Sequence, residues 1–147
     1  MPSSEALIRE ITPEDATAAA GLSGELGYPV SAEVMKQRIE FVSGQAGHAV
    51  FVACLSGDLV GWVDVAVTHH LASDPRAEIC GLVVLSGMRS RGIGRLLVAR
   101  AEQWALQQGL SVMVVRSRIS REDAHRFYLR EGYSLTKTSA VFTKDLE

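Results

Sequence analysis

The sequence predicts an α/β protein of the α+β kind, a mixed sheet with helices on its faces. Three observations carry that prediction. Short β-rich apolar runs are interleaved with segments of helical spacing along the 147-residue chain, so neither pattern dominates. Helix starts and stops are marked by hydroxyl caps and by glycines. Hydrophobic residues make up 47% and charged residues 22%, the composition of a globular protein. A chain of this length buries roughly two thirds of its unfolded surface, so a core needs no disulfide or metal. One domain spanning 1–147 is expected.

The elements follow in chain order. Ala6–Ile11 alternates weakly and reads as a short strand. Thr12-Pro13-Glu14-Asp15 reads as a helix start, with a hydroxyl cap, proline at the first position and acids in the first turn. That helix runs to about Leu26. Ser31 caps a second, with Val34, Met35, Ile39 and Val42 at helical spacing, ending near Gly44. His48–Leu55 and Leu59–Thr68 read as strands joined by Ser56-Gly57-Asp58, a hairpin link. Thr68–Pro75 reads as a loop, and Ala77–Leu85 as a strand apolar enough for burial on both faces. A glycine turn then opens a long helix whose stripe is Ile93, Leu96, Leu97, Ala101, Trp104 and Ala105, closed by Gly109. Leu110–Val115 is a strand, Ser120-Arg121-Glu122-Asp123 starts a helix closed by Gly132, and Tyr133–Thr136 and Ala140–Thr143 read as a last pair of strands. The total is six to seven strands and four helices.

The net charge of -2 gives no support for nucleic-acid binding, which favours a broadly basic chain. It hides an asymmetry, however. Residues 1–75 carry three bases against ten acids, and residues 76–147 carry twelve bases against seven acids. Uneven charge of this kind can mark the site of a charged ligand or be chance. Cys54 and Cys80 sit in apolar runs and read as buried free thiols. Neither has metal-ligand spacing, so no metal is expected. The N-terminus has no apolar stretch of signal-peptide type, and the longest uncharged run, Phe41–Gly57, is broken by polar residues and glycines. A soluble cytoplasmic protein without membrane contact is expected.

The chemistry concentrates at Cys80–Gln108. A strand feeding a helix through glycines leaves the helix's first N–H groups and its positive dipole end facing a ligand, an arrangement that suits phosphate. From Ile79 to Ala101 there are four arginines and no acid. Leu97 stands where a dinucleotide-binding fingerprint needs a small residue, and no G-K-[ST] follows, so neither that fingerprint nor a P-loop is present. A lone G-x-G fits either a phosphate cradle or a simple tight turn.

Arg89-Ser90-Arg91-Gly92-Ile93-Gly94 resembles the R/Q-x-x-G-x-G/A motif of the GCN5-related N-acetyltransferases (GNAT), which grip the pyrophosphate of acetyl-CoA. Ala124-His125-Arg126-Phe127-Tyr128-Leu129-Arg130-Glu131-Gly132-Tyr133 resembles that family's A-x-x-F-Y-x-x-x-G-F/Y. The two motifs stand in the family's order, and the likeness runs from Ile8 onward. It implies a mostly antiparallel GNAT sheet and an enzyme that moves the acetyl group of acetyl-CoA to a primary amine by direct transfer.

The resemblance also implies roles. The backbone of Leu82, Val83 and Val84 would bind pantetheine, with an N–H near Val84 as oxyanion donor. Arg89, Arg91, Gly92, Ile93, Gly94 and Arg95 would contact the pyrophosphate. Tyr128 would protonate the leaving thiolate, although a Phe127-Tyr128 pair can also be a core anchor. Glu78 matches the carboxylate that many relatives carry early in this strand and is the general-base candidate, where burial would raise its pKa. It can equally be a strand-end partner of Arg76. Where some relatives have another acid, this chain has Gly81. Many relatives hold CoA with an Asn after the fifth strand; this chain contains no Asn, and Arg118 or Ser120 stands in that region. His69 and His70, in the loop before the Ala77–Leu85 strand on the acceptor side, could touch substrate or a metal but read first as solvated residues, and His125 reads as a helix-surface residue.

The stretch EDAHRFYLREGY and the VFTKDL after it most resemble the aminoalkylphosphonate N-acetyltransferase branch. Glu14, Asp15, Glu25, Glu33, Glu40, Asp64 and Asp74 instead suit a cationic amine, such as an aminoglycoside or a polyamine, as the small-molecule acceptor. The other readings are a non-catalytic acyl-CoA-binding sensor of the same fold and acetylation of a protein amine. A homodimer through the C-terminal strands is open, and no residue compels it.

Overall fold

The structure, a computed structural model, describes residues 6–88, 91–117 and 121–147. The chain forms two compact units, Met1–Val115 and Arg116–Glu147.

The first unit holds a five-stranded sheet in the order β1 (Leu7–Glu10), β2 (His48–Leu55), β3 (Asp58–His70), β4 (Ser73–Val84) and β5 (Met113–Val115). The first three pairings are antiparallel and β4–β5 is parallel. Its helices are α1 (Ala16–Glu25), α2 (Ala32–Ser43) and α3 (Ile93–Gln107). The expected Ser31 cap is present: the Val34 N–H donates to Ser31 Oγ at 3.1 Å. The expected Thr12 hydroxyl cap is not; that hydroxyl donates to Asp15 Oδ2 at 3.3 Å, and Pro13–Asp15 forms a single 3₁₀ turn that feeds α1.

Strand alternation divides the core between the two faces of this sheet. On one face Val52, Ile11, Ala16, Ala19 and Ile39 pack together beneath α1 and α2, with Met35 and Trp62 against them. On the other lie Phe51, Val63 and Val65, all essentially inaccessible. There α3 is seated closely. A Cβ on Gly61 would stand 2.9 Å from the Val83 carbonyl oxygen and 3.1 Å from Leu97 Cδ1, so only glycine lets helix and strands approach this far. Arg100 of α3 lies 4.2 Å over the Phe51 ring, a cation–π contact on the same face.

Asp15 ties β1 to α1. It accepts two hydrogen bonds from the Arg9 guanidinium, each 2.8 Å, and one from the Thr12 N–H at 2.8 Å. The Arg9 hydrogen bonds hold the Asp15 carboxyl below the usual carboxylate range, against the opposing effect of burial. A carboxylate whose folded pKa is depressed contributes stability above its unfolded value near pH ~4, and that contribution is lost as pH falls through the folded value. Arg9 is 39% exposed, so water screens the pair. Asp15→Asn is expected to lower stability at neutral pH by about 1–2 kcal/mol, with the deficit shrinking in acid. Urea unfolding of parent and variant at the two pH values checks this; a deficit independent of pH would exclude the ionic origin.

Three expectations are corrected in this unit. Thr68–Pro75 is not a loop: β3 runs to His70 and β4 starts at Ser73, so Leu71 and Ala72 make the turn. The polar residues there suggested a loop, but pairing continues, with Thr68 opposite Arg76 and His70 opposite Ser73. β4 is not buried on both faces; Ala77, Ile79 and Val83 are buried while Gly81, Leu82 and Val84 are partly open. Within the same strand Cys80 is exposed, and Cys54 of β2 is half-buried, so neither is a core residue.

In the second unit α4 (Glu122–Arg130) ends in a turn in which Gly132 takes φ +94 and the Tyr133 N–H donates to the Tyr128 carbonyl at 3.0 Å. Asp123 and Arg126 pair along its surface. Residues 134–147 form neither helix nor strand. The described residues therefore carry five strands, not six to seven. A strand is defined by backbone pairing, and the alternation in Tyr133–Thr136 and Ala140–Thr143 supplies only the side-chain half of that requirement.

Candidate active site

The glycine turn is built by the chain entering α3. After β4 the Leu85 N–H donates to the Val60 carbonyl at 2.8 Å, Ser86–Met88 makes a 3₁₀ turn, and the Arg91 N–H donates to the Met88 carbonyl at 3.2 Å. Gly92 then takes φ +77, a left-handed conformation that glycine adopts without a Cβ penalty, and becomes the cap of α3. Its carbonyl accepts from the Leu96 N–H at 3.1 Å. The amides that follow, beginning at Ile93 and Gly94, form the first turn, whose N–H groups have no earlier helical carbonyl to meet. Ile93 is buried and anchors the turn, while Arg91, Gly92 and Arg95 are exposed around it. Arg89 and Ser120, both expected at the site, lie outside the described residues.

β4 carries the second feature. Its pairing with β5 covers only Ala77, Glu78 and Ile79. Beyond Ile79 the strand continues in register with β3, from Gly81 opposite Asp64 to Val84 opposite Gly61. Leu82, Val83 and Val84 lie in this stretch past the β5 pairing, leading into the glycine turn. A β-bulge falls at its start: Val65 faces Ile79 and Asp64 faces Gly81, leaving Cys80 as the extra residue. The Trp62 ring fills the space above Gly81, where a Cβ would stand 3.0 Å from Cζ3, so no side chain fits at that position.

Glu78 is half-buried and sits opposite Ala66, on the sheet face to which Asp64 also points. Asp64 Oδ1 pairs with His48 Nε2 from β2. Cys80 reports on the charge here. The thiol is pushed up to about 11 by burial of the sulfur, although the residue as a whole is exposed, and further by Asp64 and Glu78. The two carboxylates thus flank one point on the bulged strand.

The His48–Asp64 pair is the part that reading the sequence missed. One signal was available: Asp64 is the sole charged residue between Asp58 and Asp74, in the middle of an apolar strand. The other acids expected at an acceptor site divide among different partners. Asp15 is committed to Arg9, and Glu25 accepts from the Ser86 N–H at 3.4 Å. Glu14 and Glu33 line a shallow cleft of about 340 Å³ with Lys36. No group of His, Cys, Asp and Glu among the described residues has the arrangement of a metal site, and no described helix is long and apolar enough to cross a membrane.

Tyr128 belongs to the second unit. Its ring meets Phe127 edge-on at 5.2 Å and Tyr133 at 5.8 Å. Burial raises its phenol pKa, with Arg121 acting partly in the opposite direction. The phenol is therefore protonated at neutral pH.

A bulged strand leading through a glycine turn into a helix is a feature of an α/β fold that offers a helix start to an anionic ligand. The profile of the Acetyltransferase (GNAT) family matches residues 10–133, and the chain belongs to that family. It is an acetyl-CoA-dependent acyltransferase. It is 35% identical over 129 residues to an aminoalkylphosphonate N-acetyltransferase of Salmonella typhimurium, covering 81% of this chain and 82% of that one. It is 30% identical over 152 residues to an aminoglycoside N(6')-acetyltransferase type 1 of Stenotrophomonas maltophilia, covering 100% and 98%. The crystal structure of aminoglycoside N-acetyltransferase AAC(6')-Iy in complex with CoA has the same fold, with a TM-score of 0.86 at 20% identity over 97% of each chain.

Proposed function

We propose that the chain acetylates a primary amine of a small cationic molecule by direct transfer from acetyl-CoA within a ternary complex. The observation that carries this reading is the end of β4–β5 pairing at Ile79, directly ahead of the turn capped by left-handed Gly92. An extended arm of pantetheine type fits beside β4 beyond the end of its β5 pairing, and a pyrophosphate fits the helix start that follows. The family match runs through both units, which supports one acetyltransferase domain over 1–147.

Each residue then has a role. The backbone of Leu82, Val83 and Val84 holds the pantetheine arm and polarises the thioester carbonyl. Arg91, Gly92, Ile93, Gly94 and Arg95, with Arg89, receive the pyrophosphate, and Ser120 takes the place of the absent Asn. Glu78 takes one proton from the ammonium, directly or through water, and the free amine bonds to the acetyl carbon to give a tetrahedral intermediate. Its carbon–sulfur bond then breaks, Tyr128 donates its proton to the departing thiolate, and the second proton released by the nitrogen restores the Tyr128 phenol. Asp64 adds negative charge on the same sheet face, which favours a cationic acceptor.

Initial rates with both substrates varied test direct transfer. Intersecting double-reciprocal lines are expected, and parallel lines would indicate an acetyl-enzyme instead. Glu78→Gln should lower turnover most at acidic to neutral pH, where the acceptor is an ammonium ion. The deficit should shrink as pH approaches the amine's own pKa, because the free amine then needs no base. A variant profile parallel to the parent's across that range would place the base elsewhere.

A further inference from the structure

Asp64 stands where the sheet favours an apolar side chain. It is 29% exposed in the middle of β3, and a charge held there carries a desolvation cost that an apolar residue would avoid. Its cross-strand neighbours do not offset that cost. Val50 stands opposite it on β2 and Gly81 on β4. The Trp62 ring fills the space over Gly81, so position 81 has no room for a side chain that could meet the carboxylate.

The residue that does meet it is His48. Nε2 of His48 donates to Asp64 Oδ1, because an ionised carboxylate can only accept. The turn from α2 into β2 fixes the backbone of His48. Its N–H donates to the Gln45 carbonyl at 3.3 Å, and the Val67 N–H donates to the Gly47 carbonyl at 2.8 Å. One carboxylate oxygen is engaged by the imidazole, and the other keeps its own acceptor capacity.

Spacing relates this carboxylate to Glu78. Glu78 faces Ala66, and Asp64 lies two residues before Ala66 on the same side of β3. Diagonal neighbours of this kind stand about 7–8 Å apart. Both charges are felt by the Cys80 thiol on the bulge.

Resting on the proposed function, in which Glu78 takes a proton from the reacting nitrogen, we propose that Asp64, held in place by His48, receives a second ammonium group of the acceptor. Asp64 then sets specificity and His48 is a positioning residue. The acceptor class is a short dication whose nitrogens match the carboxylate spacing of about 7–8 Å. A monoamine leaves Asp64 without its partner, and an amine that carries a phosphonate brings a like charge to it.

The test measures binding of terminal diamines, from diaminoethane to diaminohexane, and of butylamine and pentylamine to the full-length protein saturated with CoA. Calorimetry reads this without turnover. In the parent, Kd should pass through a minimum at diaminobutane or diaminopentane. There it should lie about tenfold or more below that of the monoamine of equal length, the scale of one charge-assisted hydrogen bond. Asp64→Asn, which keeps the side-chain shape, should abolish the minimum. His48→Phe should weaken diamine binding selectively, and His48→Gln, whose amide can donate to Asp64 Oδ1, should restore most of it. A merely structural role for His48 would instead weaken monoamines and diamines alike and lower the melting temperature. Equal affinity for monoamines and diamines in the parent would overturn the proposal, as would a diamine preference that Asp64→Asn leaves intact. Diamine binding in His48→Phe as tight as the parent's would remove His48 from it. Thiol release from acetyl-CoA, read in parallel, keeps the two claims apart. Asp64-dependent diamine binding without thiol release would contradict the proposed function and uphold the Asp64 subsite; thiol release without diamine preference would do the reverse.

Discussion

Tyr128→Phe is expected to lower kcat by about 10²-fold or more while leaving the Kd for acetyl-CoA within about twofold of the parent's. The substitution removes one oxygen and keeps the ring, so the edge-on contacts with Phe127 and Tyr133 survive. Stability should therefore hardly change. The thiolate leaving the tetrahedral intermediate has lost its proton source, and only the chemical step should slow. Burial keeps the phenol protonated through neutral pH, so the parent should show no loss of this acid until well above pH 7. Steady-state kinetics with calorimetric binding of acetyl-CoA separate the two effects. Unchanged turnover would remove Tyr128 from the mechanism, and a parallel loss of binding would make it an anchor of α4 instead.

Gly94→Val is expected to weaken acetyl-CoA binding by about tenfold to 10²-fold, the scale of one or two charge-assisted hydrogen bonds to phosphate. Gly94 is the second residue of α3, behind the left-handed Gly92. A branched side chain there projects from the helix start over the first-turn amides, where a phosphate oxygen must come within hydrogen-bonding distance. The loss should appear in Kd and in KM for acetyl-CoA, with kcat at saturating donor largely retained. Normal acetyl-CoA affinity in the folded variant would remove the pyrophosphate from this turn. Melting curves distinguish that outcome from unfolding, since Val within a helix costs well under 1 kcal/mol relative to other residues.

These predictions draw on parts of the molecule that were legible from local chemistry. Ser31 as a cap, Gly92 as the turn before α3 and Gly132 as the end of α4 each follow from what one residue does to its own backbone, and the structure places all three as expected. Where partners are distant the reading failed. Thr68–Pro75 is rich in polar residues, yet the antiparallel register carries β3 and β4 through most of it. His48 and Asp64 are sixteen residues apart and meet only because β2 and β3 are neighbours in the sheet. Asp15 looked like one of several acids facing an acceptor, whereas the two-pronged geometry of Arg9 claims it for the fold. Tyr133–Thr136 and Ala140–Thr143 show alternation alone, and alternation does not specify which backbone, if any, a segment will meet. The bulge at Cys80 was hidden for the same reason: an inserted residue is visible only against the partner strand.

The charge asymmetry has a divided explanation. Around the glycine turn Arg91 and Arg95 stand exposed beside a helix start, the setting that an anionic donor needs. Among the described acids of the first half, Asp64 joins Glu78 at the bulged strand, while Asp15, Glu25 and the Glu14–Glu33 cleft belong elsewhere. The case for a cationic acceptor therefore rests on two carboxylates and not on the net charge of the first half.

The most direct test of the account is to incubate the full-length protein with acetyl-CoA and a panel of primary amines that includes aminoglycosides, polyamines and aminoalkylphosphonates, and to measure released CoA thiol and acetylated amine together. The account predicts equal amounts of both for at least one cationic member of the panel, with Glu78→Gln and Tyr128→Phe each lowering the rate. Acetyl-CoA that binds tightly but releases no thiol with any amine of the panel would contradict the assignment of a small cationic acceptor.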